Sequence, residues 1–183
     1  MTNDVAGWGG GGTPVRTDVS GLGFARQWAA RYDTGSFVLS PQGAVTPGLT
    51  YTVSVYLRPE SFPISGTVWI EFLDSGGGSL TFVNGAFSAP DGVVTRISMT
   101  GTAPTGAVTC WLVVTGENYA VNATSYTMCL IEQSASAGTY FDGSSPGAVW
   151  DGTPGNSTST LPDAAAAPPP QSPYRRRRHL LIR

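Results

Sequence analysis

The sequence has no lysine, a single histidine and two cysteines, and charged side chains fill only 12% of its 183 positions. A long amphipathic helix or a coiled coil needs charge along its polar face, so this shortage argues against both. Two cysteines are too few for a disulfide framework or a Cys-rich zinc site. The one histidine, His179, stands close to the C-terminus. A Ser-His-Asp triad would have to recruit it from a tail, which is incompatible with a preorganised site. A catalytic zinc would lack its usual imidazoles. No GxxxxGK[ST] motif is present, and the Gly9–Gly12 run precedes no helix, so phosphate-loop chemistry has no carrier. Nothing singles out two of the twelve acidic residues as a hydrolytic pair. The expectation is a chain that is not an enzyme and takes no cofactor and no metal. No apolar run approaches the about 20 residues of a membrane span. The opening Met1-Thr2-Asn3-Asp4 lacks the basic and apolar stretches of a signal peptide. Membrane insertion is not expected.

What charge there is lies unevenly. All ten basic residues are arginines, and Arg175, Arg176, Arg177, Arg178 and Arg183 fall in the last ten positions. The remaining five arginines share residues 1–173 with all twelve acids. An acidic body with a basic end does not offer the positive surface that phosphate binding needs, so nucleic acid is not an expected partner.

Short segments rich in Val, Ile, Thr, Tyr, Phe and Trp recur between Gly, Pro, Ser and Asn, which is the signature of strands and turns. In Leu49–Arg58, Tyr51, Val53, Val55 and Leu57 alternate with Thr52, Ser54, Tyr56 and Arg58. Such alternation describes a strand with one buried and one wet face. Thr67–Asp74, Ser79–Val83, Val93–Thr100, Ala107–Thr115 and Ser125–Gln133 follow. Ser36–Leu39 is a weaker candidate. Phe24–Tyr32 reads either as a strand or, with its three alanines, as a helical turn. Thr46-Pro47-Gly48, Asp74–Gly78, Asn84-Gly85, Ala89–Gly92 and Thr105-Gly106 supply turns between them. The fold class is therefore all-β, a sandwich or barrel.

Phe72, Tyr51 and Tyr126 are expected in the core. Tyr56, Trp69 and Trp111 fall on the opposite parity from their aliphatic neighbours, and Arg58, Glu71 and Arg96 are expected to share that outer face. Exposed rings beside charged and hydroxyl groups suit a sugar, whose C–H face stacks on an aromatic while its hydroxyls take hydrogen bonds. Burial of the same rings under a loop or a second copy of the chain is the competing reading. Cys110 and Cys129 would face each other if Ala107–Thr115 and Ser125–Gln133 formed a hairpin, within reach of a disulfide. Otherwise they pack as small reduced apolar residues.

Residues 1–161 read as the β domain, 162–173 as an Ala/Pro-rich linker with an extended Pro168-Pro169-Pro170 spacer, and 174–183 as a basic and apolar tail. The tail is either a solvated end or a docking peptide. In the docking reading Leu180, Leu181 and Ile182 fill a groove while Arg175, Arg176, Arg177 and Arg178 grip acidic rims.

Three segments carry a family resemblance. They are Asp4–Trp8, Val45–Arg58, and a Tyr140-Phe141-Asp142-Gly143 turn leading to Trp150-Asp151-Gly152-Thr153-Pro154 and Ser157-Thr158-Ser159. In this order the pieces resemble the carbohydrate-binding-module-like jelly rolls of minor tail proteins from phages of actinobacteria, over about residues 4–161. The resemblance implies a jelly-roll β-sandwich with an extended C-terminal arm, in a virion structural protein on the tail or particle surface. It further implies other virion proteins as partners, a homo-oligomer such as a trimer, and a host surface glycan as ligand. Family members commonly begin with an Asn-Pro-x-x-Glu strand that in related modules helps bind calcium. This sequence starts after that strand, so no calcium site is expected. A free-standing or enzyme-attached carbohydrate-binding module without a virion role is the alternative.

Overall fold

The computed structural model describes residues 7–33, 35, 37–116, 123–152 and 159–160. The chain divides into two compact units, Met1–Tyr140 and Phe141–Arg183. The described residues contain no helix and thirteen strands. In chain order they are β1 Gly9–Gly10, β2 Val15–Asp18, β3 Trp28–Tyr32, β4 Phe37–Leu39, β5 Gly43–Ala44, β6 Thr50–Pro59, β7 Ile64–Leu73, β8 Ser79–Ala89, β9 Thr95–Thr102, β10 Thr109–Gly116, β11 Thr124–Glu132, β12 Val149–Trp150 and β13 Ser159–Thr160.

The first unit is a sandwich of two antiparallel sheets. One runs β1-β4-β10-β7-β8 with β5 also on β10, and the other runs β2-β3-β11-β6-β9. Alternation assigns the inner faces. Tyr51, Val53, Val55 and Leu57 of β6 meet Val68, Ile70 and Phe72 of β7 and Cys110, Leu112 and Val114 of β10 in one buried cluster with Tyr126. Trp8 packs on that cluster, its ring 6.1 Å from the Tyr126 ring. The Tyr32 hydroxyl donates to the Gly9 carbonyl at 2.7 Å. This bond satisfies a polar atom on a side chain that is almost wholly buried.

Two sequence expectations are corrected, and of the two readings of the cysteines the structure has the reduced one. Phe24–Tyr32 is strand only from Trp28, with no helical turn. Asn84-Gly85 is not a turn, because β8 runs straight through it to Ala89. Gly85 faces the other sheet, where a Cβ would lie 2.8 Å from Met99 Cε, so the glycine answers a packing need. The segments around Cys110 and Cys129 do not form a hairpin. Strand β10 pairs with β4, β5 and β7, β11 pairs with β3 and β6, and both thiols are free.

In the second unit β12 and β13 pair antiparallel. The turn before them is built on Asp142, whose Oδ1 accepts the Ser144 amide at 2.9 Å. Ser144 Oγ in turn accepts the Trp150 indole N–H at 3.3 Å. A Cβ on Gly143 would run into the Trp150 ring, so the Asp-Gly and the later Trp of the motif form one local unit. The linker and tail at 162–183, including Arg175–Arg178 and Leu180–Ile182, lie outside the described residues.

Candidate functional site

The outer face of the six-stranded sheet gathers aromatic rings around a carboxylate. On β7, Trp69 and Glu71 share the parity opposite to Val68, Ile70 and Phe72. Register places Trp111 of β10 beside Glu71, and Glu71 beside Phe82 of β8. One step along, Val113, Trp69 and Asn84 form the parallel row. With strands about 4.8 Å apart, each three-residue row is about 10 Å across. The Trp111 indole N–H donates to Glu71 Oε2 at 2.7 Å, which fixes the ring and occupies one carboxylate oxygen. Trp69 and Phe82 lie with ring centroids 6.3 Å apart and planes tilted by 47°. Trp69, Glu71 and Trp111 are half-buried, and Phe82 is 57% exposed. The rings are therefore held by their neighbours yet remain open to solvent.

Tyr56, Arg58 and Arg96 do not join them. All three sit on the outer face of the five-stranded sheet, on the other side of the sandwich, so the six residues form no single surface. Parity tells which face of its own sheet a side chain takes, but not which sheet the strand enters. Strands β6 and β7 are consecutive and similarly patterned, and they belong to different sheets. The segment from Gln133 to Tyr140 lies across this second face. The Ser134 carbonyl accepts from Thr52 Oγ1 at 2.9 Å, and Glu132 Oε1 accepts the Gly138 amide at 2.7 Å. Arg96 donates to the Gly138 carbonyl and, at 2.8 Å, to Ser54 Oγ, while its guanidinium lies 5.3 Å from the Tyr56 ring centre. Thr52 and Ser54 are consequently fully buried although they point away from the core. Arg58 Nε donates to the Gly92 carbonyl at 2.9 Å. A cavity of about 300 Å³ remains beside this segment, lined by Tyr56, Tyr140, Met128, Val94, Thr139, Gly23 and Ala25. Met128 is the one non-glycine residue with positive φ, 54°, among the described residues, at an irregularity between Thr127 and Leu130 in the pairing of β11 with β6. Arg58 and Arg96 thus bind this chain's own backbone, and Tyr56 packs against Arg96 and the Tyr140 ring, roles that parity alone does not reveal.

Phe82 is the site residue that the sequence reading passed over. Its signal was the shared parity with Leu80 in Ser79–Val83. Its place beside Glu71 follows only from the β7–β8 register.

No protein-family model matches the chain, and no curated protein matches it. Solved structures do. The CBM22-1 xylan-binding domain of Paenibacillus barcinonensis Xyn10C matches over 74% of this chain and 91% of its own, with a TM-score of 0.55 and 14% identity. The CBM22-1–GH10 modules of Clostridium thermocellum xylanase 10B, solved with xylohexaose, match 70% of this chain with a TM-score of 0.53 and 17% identity. This chain spans 26% of that one. The enzymatically active domain of bacteriophage CBA120 tailspike protein 4 matches 70% of this chain, which spans 20% of it, with a TM-score of 0.52 and 12% identity. At such identities the likeness is one of fold. The chain has the jelly-roll β-sandwich seen in carbohydrate-binding modules.

Proposed function

We propose that the outer face of the six-stranded sheet binds a carbohydrate chain. The observation that carries this reading is the Trp111–Glu71 hydrogen bond beside Trp69 and Phe82: rings locked in place, open on one face, around a carboxylate. A sugar ring stacks its C–H face on the indoles and gives hydroxyl protons to Glu71 Oε1. Because Trp111 is already held, little side-chain entropy is lost on binding. The fold shared with a xylan-binding domain supports the reading without naming the sugar. A broad glycan array followed by titration calorimetry tests it. At least one class of glycan binds, and Trp69→Ala or Trp111→Ala weakens it roughly thirtyfold or more with the circular-dichroism spectrum unchanged. An array without a single binder overturns the reading.

Within that reading, we propose a virion role: a minor tail protein or surface decoration, displayed for host-glycan attachment and anchored by its C-terminal arm. The motif resemblance in Asp4–Trp8, Val45–Arg58 and the Tyr140–Ser159 stretch is what supports it. Deleting Ala164–Arg183 should leave a folded sandwich that no longer joins particles. Normal incorporation of the shortened chain refutes the anchor. A free-standing module binds the same glycans and associates with no particle.

A further inference from the structure

Strand β8 is the outermost strand of the six-stranded sheet, and no strand among the described residues pairs with its free side. An edge strand presents unpaired N–H and C=O groups, and proteins usually block such edges with brevity, charge or proline. The other edges follow that rule. Strand β1 is two residues long, β2 carries Arg16 and Asp18, and β9 carries Arg96. Strand β8 follows none of it. Its eleven residues, SLTFVNGAFSA, include no charge and no proline, and eight of them are exposed. Leu80, Phe82 and Val83 are 42%, 57% and 41% exposed.

We infer that β8 pairs with the β8 of a second copy of this chain, antiparallel and about a two-fold axis. The sheet then becomes continuous across the dimer. Charge does not oppose a copy at this edge. Residues 1–173 hold five arginines against twelve acids, so like chains repel over much of their surface, whereas along β8 they meet no charge. A strand paired antiparallel with itself satisfies two-fold symmetry and closes at two copies. Eleven residues supply about ten backbone hydrogen bonds. Phe82, Leu80 and Val83 supply apolar cross-strand contacts. The chain's own tail fits less well: it offers three consecutive apolar residues, Leu180–Ile182, behind four arginines. The pairing stands apart from the glycan reading and needs no ligand.

Sedimentation equilibrium of the full chain, from about 1 to 100 µM, tests the inference. The wild type is dimeric within that range. A Thr81→Lys/Ala86→Lys double variant, which places charge at two exposed edge positions, is monomeric at every concentration and keeps its circular-dichroism spectrum. Ala86→Val, bulkier but uncharged, remains dimeric. Hydrogen exchange on the wild type reads the same event without substitution: β8 amides gain protection with protein concentration while β2 amides do not. A wild type that stays monomeric, a trimer, or a double variant that still dimerises overturns the inference. So does loss of the dimer on deleting Ala164–Arg183 with β8 left intact, since the tail would then be the contact.

Discussion

At the scale of the residue, the same parity rule sends side chains to very different surroundings. Trp111 and Cys110 are neighbours on β10. One indole reaches Glu71 at the surface, while the other residue's thiol lies fully buried. Burial pushes the Cys110 thiol up to about 12, and the nearby Cys129 adds to the shift. Burial likewise raises Cys129 to about 11, partly offset by a hydrogen bond with Ser40. A group whose native pKa is raised keeps its proton longer in the folded chain than in the unfolded one. Its contribution is therefore complete below the unfolded pKa near 9 and is lost as pH climbs towards the native values. The thermal midpoint should fall between pH 9 and 11. A Cys110→Ala/Cys129→Ala variant should start lower, by roughly 1–3 kcal/mol, yet show a flatter pH slope. Equal slopes for the two proteins would mean that other groups titrate. Tyr32 is also raised by burial, and its effect belongs to still higher pH.

At the scale of the element, alternation was enough to find the long strands and their buried sides. Leu49–Arg58 reads directly as β6, and Tyr51, Phe72 and Tyr126 are buried as its period and that of its neighbours require. The short strands β1, β2 and β5 left no such mark. Two to four residues span at most two periods, and pairing rather than propensity makes them strands. Asn84-Gly85 shows the limit from the other side. The dipeptide is the strongest short hairpin signal, but here the glycine is needed because Met99 of the opposite sheet occupies the space above it. Half of the expected site was legible in the same way. Trp69, Glu71 and Trp111 come together because β7 and β10 pair in register. Tyr56, Arg58 and Arg96 carry the same outward signal in strands of the other sheet. Sheet membership is a tertiary property, and no local pattern encodes it.

At the scale of the whole molecule, the aromatic face and the open edge lie on one sheet. Phe82 belongs to both: it sits beside Glu71 in the platform and on the strand proposed to pair between copies. A two-fold β8 pair would set the two platforms on the same side of one continuous sheet, since the strands of a pair share their faces. Two modest sites held in this way act on a glycan-coated surface with high effective concentration, whereas a short soluble oligosaccharide engages each site alone. The two readings therefore make a joint prediction that separates them from either one. The Thr81→Lys/Ala86→Lys variant should bind a soluble oligosaccharide with the affinity of the wild type, measured by calorimetry. On an immobilised polysaccharide it should dissociate roughly a hundredfold faster, measured by surface plasmon resonance. Equal dissociation from the surface would mean that the copies do not present their sites together. Weakened binding of the soluble ligand would instead place Ala86, which shares the parity of Phe82, within the platform itself.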